Sequence, residues 1–431
     1  MAFLLTATTP LATFTALNTM IYPEEAVARE SGNHEGMARA SEAVHRLHRE
    51  NPELVETEGY TALTPTRLGI EVKFNRELSA HEREKIERST RGVPITFTEV
   101  TYSRKQLKEV VDSIRSDWRD WKDDGIEIAV FGIDDEANRV RVALKEYSDR
   151  NKDRIESAYG DPVYVVPGDT RTSPQRKNAA GEEVDAPGTP KVGDEAATEY
   201  SRENDSPPWT GGLVLESSLT GGRCSGGFTL IDTSSVPHPM YMTTAGHCSG
   251  GRIPLPEDTF YNGSERNSVG TISERFFSSE GEIDSQVILF ADQGLGGFAD
   301  IWDNGDTGES HRPVRWGDLI DQPAEEVCYS GAVTGEICGG IITGTEECLS
   351  YMDGITCGLT EVRHVADLTM CHPGDSGGPV FRPEVDDPSG GVVAKGTHVA
   401  YAEISGKPYC YYTPIRTVTD QHGLTLALNP G

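Results

Sequence analysis

Two short strings far apart in the chain set the strongest condition on its fold. They are Thr243-Thr-Ala-Gly-His-Cys and Cys371-His-Pro-Gly-Asp-Ser-Gly-Gly-Pro, and a useful fold must bring His247 and Ser376 together. A serine hydroxyl at neutral pH is a poor nucleophile and needs an imidazole to take its proton. Gly374 and Gly377 carry no side chains, so the chain can turn tightly beside Ser376. The N–H groups of Gly374 and Ser376 can then point at a developing oxyanion. A carboxylate is also needed to hold the histidine tautomer, and Asp284 is the candidate. It follows the turn-like Ser278-Ser-Glu-Gly and opens Asp-Ser-Gln-Val-Ile-Leu-Phe, an apolar run that reads as a buried strand.

The 431 residues are too many for one ordinary core, so two domains plus connectors are expected. All eight cysteines lie between Cys224 and Cys410, without metal-binding C-x-x-C spacing, which predicts disulfides and an oxidising compartment. Counting alone leaves 105 pairings open. Net charge is −30, and from Trp209 onward 30 Asp and Glu face 11 Lys and Arg. Such a surface repels nucleic acid and anionic lipid, so neither is an expected partner. It favours solubility at high ionic strength, as in a saline habitat, and equally suits an ordinary acidic surface. No apolar run is long enough for a transmembrane helix. Asp303, Asp306 and Glu309 do not complete a calcium loop, and no metal or cofactor is expected.

Along the chain, residues 1–28 read as a weak or truncated signal segment. Residues 2–21 are uncharged and Ala26-Val-Ala28 is small-x-small, yet no Lys or Arg precedes Arg29. Residues 29–58 read as a polar, solvated helix. Residues 60–168 read as a small α+β domain. Its strands begin at Leu68, Pro94, Ile126, Val140 and Val163, and its helices at Ser79 (a capping box with Glu82), at Ser103 and near 149–159. Residues 169–208 lack periodicity and are rich in Pro, Gly, Ala, Asp and Glu, a disordered linker open to cleavage. From Trp209 to the end, Gly-punctuated short strands give an all-β pattern, with a helix only near Arg416–His422.

On the two strings, the His247, Asp284, Ser376 order, Gly222-Arg-Cys-Ser-Gly-Gly-Phe and Cys328-Tyr-Ser-Gly, residues 209–431 resemble the streptogrisin branch of the chymotrypsin-type serine peptidases. The Gly-Ile-Asp and Asn-Arg-Val hairpin and the Tyr159-Gly-Asp-Pro ending are similar to the pro-regions of such enzymes. The resemblance implies two antiparallel six-stranded β-barrels with the active site between them. It also implies a secreted, monomeric endopeptidase made as a precursor, acting on proteins or peptides, with the amino-terminal domain as inhibitor or folding chaperone. It pairs Cys224 with Cys248, Cys328 with Cys338 and Cys371 with Cys410. Cys348 and Cys357 are left to pin a hairpin around Tyr351.

Three departures from that family stand out. Tyr329 replaces an arginine that pairs with the aspartate before the nucleophile, so Asp375 needs the Tyr329 hydroxyl, Arg363 or a new amino terminus. The specificity-pocket floor, at Thr369 or Met370, is not acidic, which disfavours cleavage after Lys or Arg. The pocket wall reads His398-Val399-Ala400-Tyr401, and Tyr401 narrows it. His398 either reads a substrate carboxylate or packs in a strand, and large apolar residues remain the favoured substrate. A rival reading is an inactive homologue that binds proteins, with Tyr401 plugging the pocket and the amino-terminal domain as an interaction module.

Overall fold

The computed structural model describes residues 69–171 and 201–430, except 251–257, 264–265, 278–282, 304–309, 318–319, 353, 385–386 and 388. It also describes the strand Tyr60–Thr66 and some positions between 39 and 51. The signal segment lies outside these residues, as do Asp306, Glu309 and most of the expected linker.

The amino-terminal region divides in two. Strands Tyr60–Thr66, Gly69–Phe74 and Ile95–Glu99 form a sheet of their own. The helix Ala80–Thr90 begins with the expected box, in which Ser79 Oγ accepts from Glu82 N and Glu82 accepts from Ser79 N. The stretch expected to be a solvated helix is not free of the core. Ala40, Ala43, Val44 and Leu47 are buried against Ile70, Val72, Phe74 and Ile86. Their apolar spacing was too weak a stripe, among many charges, to predict burial.

The second half shares its sheet with carboxy-terminal strands. Strands Ile128–Asp134, Arg139–Leu144 and Val163–Arg171 join the carboxy-terminal sheet. Ile128–Asp134 pairs with the strand Gly335–Tyr351, and Val163–Arg171 pairs with the strand Val392–Ile404. Those two carboxy-terminal strands are linked in turn through Gly354–His364 and Lys407–Pro414. The pairings therefore run in a ring, three strands from one half of the chain and four from the other. Ala129, Val130 and Ala143 share one core with Leu349, Val399, Ala402 and Tyr411, while Cys348 and Cys357 pack among Leu107, Ile114 and Ile155. Gly132 permits this junction, since a Cβ there would lie 2.2 Å from the Glu347 carboxyl group.

The linker is accordingly shorter than expected at both ends. Residues 169–171 extend the strand Val163–Arg171, while Asp205 is buried and Arg202 half-buried against the carboxy-terminal half. That half is mostly β, as expected. Its first sheet is an eight-stranded path rather than six, and its second carries the amino-terminal strands besides its own. The helix Ile415–His422 is present. All four disulfides form in the expected pairs: Cys224–Cys248, Cys328–Cys338, Cys348–Cys357 and Cys371–Cys410. Among the described residues no helix is long and apolar enough to cross a membrane.

Candidate active site

Adjacent antiparallel strands set the first two residues. Met240–Thr244 leads into a short turn, Gly246–Ser249, that carries His247. Thr244 pairs with Gln286 in Ser285–Phe290, which places Asp284, one residue before that strand, beside the turn. Asp284 Oδ2 accepts from His247 Nδ1 at 2.6 Å and Oδ1 accepts from the His247 backbone N–H at 3.0 Å. Both side chains are fully buried. Burial opposes ionisation of Asp284. The His247 interactions and a hydrogen bond from Tyr351 outweigh it and hold the carboxyl below its usual range. An ionised acceptor at Nδ1 leaves the lone pair on Nε2, and Nε2 has no hydrogen-bond partner among the described residues, Ser376 included.

Ser376 lies in the turn closed by Asp375 N to His372 O and Gly378 N to Asp375 O. Gly377 has φ +93°, and a Cβ there would meet Ser225 O at 2.1 Å, so only glycine fits behind the nucleophile. Among the described residues the Gly374 and Ser376 N–H groups make no hydrogen bond, leaving them available to an oxyanion. Ser225 clamps this turn to the histidine: its N–H donates to Ser376 O at 2.7 Å, and its Oγ donates to Gly374 O at 2.9 Å. Its own carbonyl accepts from Thr244 Oγ1 at 2.9 Å, and its neighbour Cys224 is bonded to Cys248. Sequence reasoning missed Ser225, whose role consists of contacts to distant segments. Cys224, His247 and Cys248 cluster as metal ligands would, but the disulfide takes both sulfurs.

Neither Tyr329 nor Arg363 meets Asp375. Oδ1 accepts from Val333 N at 2.9 Å and Thr334 N at 3.0 Å, and Oδ2 from His372 N at 2.8 Å and from the Thr334 hydroxyl. A nest of amides replaces the cation. The Tyr329 hydroxyl is unpartnered among the described residues, and Arg363 pairs instead with Asp367. A cation that feels the charge of Asp375 is Arg202, half-buried in the expected linker. Burial pulls its guanidinium down to about 10, against the charge of Asp375 first and of Glu336 and Asp303 after it.

The pocket residues are divided. Met370 is buried in a core cluster with Tyr329, Ile342 and Tyr412, and Val399 and Ala400 are buried in the junction core. Thr369 and Tyr401 are half-buried. Tyr401 packs on the Met370 cluster and pairs in register with both Cys410 and Arg171. His398 is buried edge-on to Tyr329, with Nδ1 3.1 Å from Tyr411 O. Burial, with the neighbouring His247 second, lowers it to about 3, so it is neutral at physiological pH. Asp303, the described member of the acidic loop, accepts from Ser310 Oγ at 2.8 Å.

No protein-family profile and no curated protein matches the chain. Among solved structures it is similar to a glutamic acid specific serine protease described as using a histidine triad in substrate binding. Identity is 20%, covering 51% of this chain and 100% of that one, with a TM-score of 0.40. It is also similar to Thermobifida fusca protease A, at 22% identity over 51% of this chain and 98% of that one, with a TM-score of 0.38. Cellulomonas bogoriensis chymotrypsin is similar at 23% identity over 51% and 98%, with a TM-score of 0.37.

Proposed function

We propose that the chain is a serine endopeptidase, exported and made as a precursor, that hydrolyses peptide bonds through an acyl-enzyme. The observation that carries this reading is the sealed Asp284–His247 pair, whose open Nε2 belongs to the same clamp as the Ser376 turn. Ser376 Oγ bonds to the scissile carbonyl carbon as its proton passes to Nε2, and the carbonyl oxygen takes the charge beside Gly374 N and Ser376 N. His247 then protonates the leaving amine. It next takes a proton from water, whose oxygen bonds to the acyl carbon, and returns that proton to Ser376 Oγ as the ester bond breaks. Asp284 stays ionised throughout.

In the intact chain the strand Val163–Arg171 adds to the edge at Tyr401–Ile404, beside the expected pocket wall. This supports the amino-terminal region as an inhibitor in cis, relieved by cleavage after residue 171 and loss of the added strands. His398 supports an apolar preference over an acidic one. A neutral imidazole that gives its Nδ1 proton to Tyr411 O turns a lone pair, not a donor, toward any carboxylate.

A fluorophosphonate probe tests the reading. Labelling confined to Ser376, and lost in Ser376→Ala with the fold intact, is the expected result; labelling that survives in Ser376→Ala rejects it.

A further inference from the structure

We infer that Tyr351 is a positioning residue of this site: its hydroxyl fixes the Asp284 carboxylate in the orientation that keeps His247 ready to accept a proton. The inference rests on the peptidase reading above. Tyr351 OH donates to Asp284 Oδ2 at 2.6 Å, the same oxygen and the same distance as the bond from His247 Nδ1. With Oδ1 bound to the His247 backbone N–H, the carboxylate is held at three points, two from the histidine and one from a remote element. That element is the hairpin Gly335–Tyr351 and Gly354–His364, stapled by Cys348–Cys357 close to its tip.

The ring is held as firmly as the hydroxyl. It stacks on Phe277 at 5.8 Å between centroids and stands edge-on to His247 at 6.3 Å. Phe277 stands edge-on to the same imidazole at 6.0 Å. The adjacent backbone is fixed too, with Ser350 O accepting from Thr170 Oγ1 at 2.7 Å. A phenylalanine at 351 therefore keeps the ring and removes the hydrogen bond to Asp284.

The consequence falls on the proton step. When the Ser376 proton reaches His247 Nε2, Asp284 must stabilise the imidazolium without taking its Nδ1 proton. A donor on Oδ2 favours the ionised carboxylate and stops it from rotating off Nδ1. The tyrosine keeps its own proton and never touches the scissile bond. Nothing in the local sequence marks this role, because Tyr351 and Asp284 meet only through the tertiary fold.

The test expresses the full-length chain and its Tyr351→Phe variant, activates both by cleavage after residue 171 and degradation of the amino-terminal piece, and reads fluorophosphonate labelling and peptide-ester turnover against pH. The expected result is a fall in kcat of about 10- to 100-fold, the worth of one hydrogen bond to a buried charge. KM should be unchanged. The acid limb of the pH profile should move upward, because the freed carboxylate gives more of its charge to the imidazolium. Parent-like kcat and an unmoved limb would overturn the inference while leaving Ser376 labelled. A rise in KM alone would also overturn it, reassigning the tyrosine to substrate contact. Failure of the parent to label at Ser376 removes the peptidase reading and the inference with it. If Tyr351→Phe does not fold, 3-fluorotyrosine at 351 keeps every contact and strengthens the donor. The acid limb should then move down, and an unmoved limb again refutes the role.

Discussion

Asp375 illustrates how a single side chain can be held by hydrogen-bond donors alone, with no ion pair. Its four donors come from Val333, Thr334 and His372, and Thr334 supplies two of them. Thr334→Val removes the hydroxyl and leaves a buried acceptor short of one bond, a cost of roughly 1–3 kcal/mol. We expect a lowered melting temperature, together with slower Ser376 labelling because the oxyanion turn loosens; an unchanged melting temperature would show that the three amides suffice. Asp284→Asn is expected to keep the fold and lower kcat by about four orders of magnitude, since the amide would hold the wrong imidazole tautomer. Titration of labelling rate against pH for the two proteins measures this directly. His247, Ser376 and the flanking glycines were legible because their chemistry is written in contiguous strings. Asp284 was legible from the apolar run it opens. Ser225, Tyr351 and the partners of Asp375 were not, for each acts on residues that only folding brings near.

Among the elements, the stapled hairpin carries the most connections. It meets the amino-terminal region through a buried charge cluster: Arg141 binds Glu361 and lies 3.6 Å from Glu347, and Glu361 also accepts from Tyr411 OH at 2.5 Å. One guanidinium serves two carboxyl groups. Burial first, and the charge of Glu361 second, raise Glu347 well above its usual value, with Arg141 opposing. A carboxyl raised in the folded state contributes stability below its unfolded value, and that contribution is lost as pH rises toward the folded one. The melting temperature of the full chain should therefore fall with rising pH from about 4.3 upward, and Glu347→Gln should flatten the decline. An equal slope in both proteins would exclude Glu347 as its origin. The strands on either side of this joint were legible from alternation, as was the helix Arg104–Asp123 from its apolar face. Their destination was not, because a strand's hydrophobic pattern states which face is buried and is silent on which strand lies beside it.

The whole molecule is built around the ring in which a block of three strands from one half of the chain meets a block of four from the other at two junctions. Its two-domain reading came from composition, which separates a cysteine-free half from a cysteine-rich one and cannot reveal a shared sheet. Since the halves are joined by strand pairing and a common core, cutting the backbone between residues 172 and 200 should not part them. We expect nicked protein to elute as one species in gel filtration and to remain poorly active until the amino-terminal piece is degraded. Immediate activity on nicking would mean that the added strands do not restrain the site. The ring also bears on synthesis. The strands Ile128–Asp134 and Val163–Arg171 leave the ribosome first, each with one open edge. Their partners, Gly335–Tyr351 and Val392–Ile404, emerge only much later. During that interval the nascent chain presents two unsatisfied rows of amides and carbonyls, the condition under which neighbouring chains adhere. The acidic surface, whose mutual repulsion keeps copies apart, then protects the chain before it has folded.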